Sequence, residues 1–157
     1  MLKSLKRLWT DSVRYPESGR RAHSLELCVA ALMVEIMRVD GKIEHTERME
    51  LLAQLQESFE LSGEATENLI EEAILKTDKA LDMHQFTSRI VKGFSTSERA
   101  GVLQQLWRVA MADGHVDPYE EQLIRRIADL FGVPHRQFIE ARLAAANALD
   151  AEDKKRG

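Results

Sequence analysis

The chain has 157 residues, 44% of them apolar and 31% charged, with three prolines, eight glycines and one cysteine. That balance fits one globular domain with a core of ordinary size, and it leaves little room for long disordered segments or an all-β architecture. The net charge of −4 hides an asymmetry, because residues 1–23 carry +4 and the rest therefore −8. An acidic body speaks against nucleic acid as the main partner, since neutralising phosphates takes clustered Lys and Arg. It suits a cation, or the basic surface of another protein.

In chain order, the opening "MLKSLKRLWTDSV" sets Leu2, Leu5, Trp9 and Val13 roughly on one face, with Lys3, Lys6 and Arg7 elsewhere. A helix over residues 1–13 would hold an anionic membrane only weakly, so packing onto its own domain or onto a partner protein is the favoured reading. The apolar stretch that a signal peptide needs after its basic start is missing. The uncharged run Leu27–Val34 is far too short to span a bilayer. Cys28 lies among Leu27, Val29 and Ala30 and reads as buried filler rather than a nucleophile. With no disulfide partner it points to a reducing, cytoplasmic setting.

Helical punctuation dominates the rest of the chain. "SLELCVAALMVEIMRVDG" is apolar on most sides, which predicts a central helix ending at Asp40-Gly41. "HTERMELLAQLQESFEL" spaces Met49, Leu52, Leu55 and Phe59 as the buried stripe of a second helix. Ser62 reads as the N-cap of an acidic helix, "GEATENLIEEAILK", and Asp82 and Gly93 bound a short one. Ser95 and Glu98 form a capping box ahead of "STSERAGVLQQLWRVAMADG". "DPYEEQLIRRIADLFG" and "HRQFIEARLAAANAL" complete the series, and no run alternates long enough to be a strand. The expected fold is all-α, a compact bundle of seven to eight helices.

The sequence also repeats itself. At an offset of 73, Met33, Ile36, Asp40, Gly41, Ile43, Glu47 and Leu51 align with Leu106, Val109, Asp113, Gly114, Val116, Glu120 and Ile124. After a one-residue slip, Phe59-Glu60-Leu61-Ser62 corresponds to Phe131-Gly132-Val133-Pro134. Two copies are too few for a solenoid, so an internal pseudo-twofold is the expected arrangement. The expected organisation is a basic N-terminal helix and linker (1–23), a helical domain (24–148) and a charged tail (149–157). Within the domain, repeat one covers 24–77, a connecting helix 82–93, and repeat two 96–148.

The most conspicuous repeated element is the turn, "VDGKIEHTE" at 39–47 and "ADGHVDPYE" at 112–120. One reading is a corner between helices. Asp117 serves as N-cap, Pro118 as first helical residue and Glu120 as the third, with Gly41 and Gly114 ending the preceding helices. That reading leaves the repeated Asp40 and Asp113 without a role. The other reading is a divalent cation held by Asp40, Glu44, Glu47, Asp113, Asp117 and Glu120. Oxygen ligands favour calcium, magnesium or manganese over zinc, for which His45 and His115 sit at non-equivalent places. Neither turn is an EF-hand loop, because Ile36, Arg38, Val109 and Met111 stand where that loop needs side-chain oxygens.

The doubled pattern D-G-x-[IV]-[DE]-x-x-E, each copy following an apolar helix in a small acidic chain, resembles the TerB-like family linked to tellurite resistance. The resemblance spans about residues 24–148. It implies a helical fold with a pseudo-repeat and an acidic surface suspected of binding divalent metal. Relatives also occur fused to J-domain co-chaperones and membrane-associated proteins, and the absence of His-Pro-Asp here implies the stand-alone form. The residues suggest no catalytic Ser/His/Asp or Cys/His set and no phosphate loop. The expected function is a non-enzymatic module acting in stress response or as an adaptor, binding a cation at the repeated turns. The alternative is a metal-independent interaction module with an acidic docking surface.

Overall fold

The computed structural model describes residues 16–38, 45–78, 83–112 and 114–156, with side chains from 23 to 151 within those segments except that of residue 78. The predicted helix over residues 1–13 lies outside them. Among the described residues there are seven helices and no strand. They are α1 (Pro16–Met37), α2 (His45–Phe59), α3 (Gly63–Asp78), α4 (Met83–Gly93), α5 (Thr96–Ala110), α6 (Pro118–Leu130) and α7 (His135–Arg156).

Helix α1 is apolar around most of its circumference, and such a helix is stable only where neighbours cover every side. Every residue from Leu25 to Val34 is buried, and α1 meets α2, α3, α4, α5 and α6. Helix α5 is the second pillar, buried from Val102 to Ala110 except at Gln104. The neighbours come in matching pairs: α3 covers α1 as α7 covers α5, and α2 reaches across to α5 as α6 reaches across to α1. Trp107 is fully buried. Its ring lies 5.5 Å from that of Phe138 on α7 and 4.9 Å from the Arg142 guanidinium, a cation–π contact.

The helix ends follow their caps. Ala65 N–H donates to Ser62 Oγ at 3.1 Å. Glu98 N–H donates to Ser95 Oγ at 3.2 Å, while Ser95 N–H donates to Glu98 Oε1 at 2.9 Å. After α6, Val133 N–H donates to Ala128 O and Gly132 N–H to Asp129 O, both at 3.0 Å, which is a Schellman ending. Gly132 takes φ +69° there, and Glu60 takes φ +53° at the matching place after α2. Buried Phe59 and Phe131 precede these two residues.

Three expectations are corrected. Helix α1 starts at Pro16 rather than near Ser24; the polar stretch 17–22 shows no apolar periodicity, but Pro suits the first helical position. Helix α7 runs to Arg156, through the segment read as a charged tail, because no Gly or Pro interrupts it before Gly157. The buried stripe of α2 is Leu51, Leu55 and Phe59, four residues apart, whereas Met49 is 51% exposed and Leu52 only partly covered. Among the described residues no helix is long and apolar enough to cross a membrane.

Candidate functional site

The second repeated turn is built from the end of α5. Met111 N–H donates to Trp107 O at 2.9 Å, and Gly114 N–H to Met111 O at 3.0 Å. Gly114 adopts φ +88°, where a side chain would be strained, so the glycine is needed to leave the helix at this angle. Val116 packs against the core. The chain then re-enters a helix at Asp117, whose Oδ1 accepts from Tyr119 N–H at 2.8 Å. Glu120 Oε1 accepts from Asp117 N–H at 3.1 Å, closing a capping box with Pro118 in the first helical turn. Two of the six predicted ligand residues thus direct carboxylate oxygens at backbone N–H groups of α6.

In the first copy, Asp40 and Glu44 lie outside the described residues, as does Asp113 in the second. Glu47 is described: it is the third residue of α2, as Glu120 is of α6, and only 9% exposed. Ile36 and Val109, at the first position of a hypothetical EF-hand loop, are core residues. His45 and His115 are exposed. Among the described residues no three His, Cys, Asp or Glu side chains stand together as a metal-holding group.

One cross-link has no precursor in the sequence expectations. Arg108, in the last turn of α5, reaches α2, with its guanidinium 3.8 Å from Glu50 Oε1. The same Glu50 oxygen accepts from Gln54 Nε2 at 3.2 Å. The helix leading into the second acidic turn is therefore tied to the helix leaving the first. The available signal is a single arginine in the otherwise apolar run "LWRVAM". Glu26, inside "LELCVA", is a second such interruption: it is 3% exposed and its Oε1 lacks a hydrogen-bond partner among the described residues. Burial pushes its pKa up to about 7.

Residues 26–143 match the family model described as Tellurite resistance protein TerB. The chain belongs to the TerB family. The matched span contains both repeated turns, Glu26 and the α2–α5 cross-link. A solved protein of unknown function, PG1108 from Porphyromonas gingivalis W83, is similar to this TerB-family chain. It is 19% identical with a TM-score of 0.59, and the likeness covers 79% of this chain and 89% of that one. At that identity the likeness shows a shared fold. No curated protein matches the chain.

Proposed function

We propose that this TerB-family chain is a non-enzymatic, cytoplasmic binding module whose repeated turns are primarily helix corners, and whose acidic body docks a basic surface on another protein. The observation that carries this reading is the capping box at α6, where Asp117 and Glu120 satisfy backbone donors. The −8 carried by residues 24–157 supports a basic protein partner rather than nucleic acid. A role in stress response or as an adaptor is consistent with such a module.

The competing reading is a divalent cation, calcium, magnesium or manganese, held at the same turns. Its support is the recurrence of Asp40 and Asp113, which the corner layout does not employ. Thermal unfolding of metal-stripped protein, with each ion and beside an Asp40→Asn/Asp113→Asn double variant, separates the two. An ion at one hundred times its dissociation constant adds about 2.7 kcal/mol. The corner reading expects no ion-specific shift. A shift that disappears in the double variant would replace it with the cation reading.

A further inference from the structure

Between α1 and α3 lies a recess of about 270 Å³, just below the range of about 300–1,000 Å³ usual for small-molecule sites. His23 and Glu26 line it from α1, and Ala65, Asn68, Leu69 and Glu72 from α3. Leu61, from the corner ahead of α3, completes the apolar part of the wall. At its exposed edge, His23 Nε2 stands 3.2 Å from Glu72 Oε2.

Glu26 sets this recess apart. Only 3% of its surface is exposed, and among the described residues no donor meets its Oε1. A buried carboxylate without a partner is costly, and a fold retains one readily where a guest supplies the missing charge. A second recess, of about 500 Å³, occupies the corresponding place between α5 and α7. Its Thr96, Gln137, Glu140 and Ala144 fall 73 or 72 residues after His23, Ala65, Asn68 and Glu72. The position 73 residues after Glu26 is Arg99. Its guanidinium donates to Val91 O at 3.1 Å and to Thr96 Oγ1 at 3.0 Å. The buried, unpartnered carboxylate is thus a feature of the first recess, and the repeated architecture does not require it.

We propose that the recess between α1 and α3 binds a primary alkylammonium group, with Glu26 as its counter-ion. The ammonium hydrogens meet Glu26 in the low-dielectric interior, where a charge pair is strong. The methylenes lie along Leu61, Ala65 and Leu69, and Asn68 and Glu72 offer further acceptors toward solvent. An ion-binding cluster of three ligands is not present among the described residues, whereas an alkylammonium needs one counter-ion and an apolar wall. The same chemistry is carried by a free alkyl diamine and by the lysine side chain of a partner protein.

The test is thermal unfolding of the whole chain at pH 8, titrated separately with cadaverine, with Nα-acetyl-lysine N-methylamide, and with 1-pentanol as the uncharged control. The expected result is a saturable rise in Tm with at least one amine and none with pentanol. The tighter of the two amines identifies the source. Glu26→Gln, which keeps the shape and removes the charge, should abolish the rise. Ala65→Leu, which fills the recess and leaves Glu26 in place, should abolish it as well and serves if Glu26→Gln does not fold. No saturable rise with either amine overturns the proposal. So does an equal rise with pentanol, or a rise that survives in the variant that folds.

Discussion

The corners after α2 and α6 each turn through one left-handed residue, but use different residues to do so. Both follow a buried phenylalanine and pass through a left-handed residue before the next helix starts. After α6 the left-handed residue is Gly132, and the following Pro134 stands just ahead of α7. After α2 it is Glu60, which pays for its side chain in strain, and the next helix relies on the hydroxyl of Ser62. The two corners thus share a buried phenylalanine and a left-handed residue, while the residue that takes that conformation and the group that opens the next helix differ. The recesses differ in the same spirit. One is lined by a buried carboxylate, whereas Arg99, at the equivalent place in the sequence, turns its guanidinium to Val91 O and Thr96 Oγ1.

The anchoring phenylalanines should matter most, and equally. Phe59→Ala and Phe131→Ala should each cost about 3–5 kcal/mol in denaturant unfolding. A large inequality would mean that the corners are not equivalent in packing. Next comes Glu26. Its folded-state pKa of about 7 stands above its ordinary 4.5, so between those values the folded chain holds more protons than the unfolded one. Its contribution is therefore most favourable below about pH 4.5 and is lost as pH rises toward 7. His23 and Glu72 face the same recess and are common to both proteins being compared. Glu26→Gln should thus be more stable than wild type at pH 8 by about 1–2 kcal/mol, after allowing for an unpaired buried amide. The advantage should vanish at pH 4.5, and urea titrations at the two pH values measure it.

The strained residue gives a smaller and oppositely signed pair. Gly132→Ala should cost about 1–2 kcal/mol, although open space surrounds the added methyl, because φ is positive there. Glu60→Gly should stabilise by about 1 kcal/mol on the same ground. Equal signs for the two changes would remove left-handed strain as the distinction between the corners.

Much of this arrangement is legible in the sequence, because its helices advertise their ends. Ser62, the Ser95–Glu98 box and Asp117-Pro118-Glu120 each satisfy backbone donors that any helix start leaves open. The start of α1 and the end of α7 are hidden, since polar helical residues there carry no apolar period. The buried face of α2 is ambiguous because two stripes share Leu55 and Phe59, and only tertiary packing selects Leu51 over Met49. Glu26 and Arg108 are visible as charges in apolar runs. Their surroundings depend on α3 and α2, which sequence spacing cannot bring beside them.

The most direct test of the corner reading compares Asp117→Asn with Asp117→Ala, each unfolded in chelator and in excess calcium, magnesium or manganese. Asparagine caps a helix about as well as aspartate but lacks the charge a cation requires. The capping account predicts near-wild-type stability for Asp117→Asn and a loss of about 1 kcal/mol for Asp117→Ala, the same with and without ions. A wild-type protein stabilised by one ion, with both variants equally deprived of that gain, would contradict it.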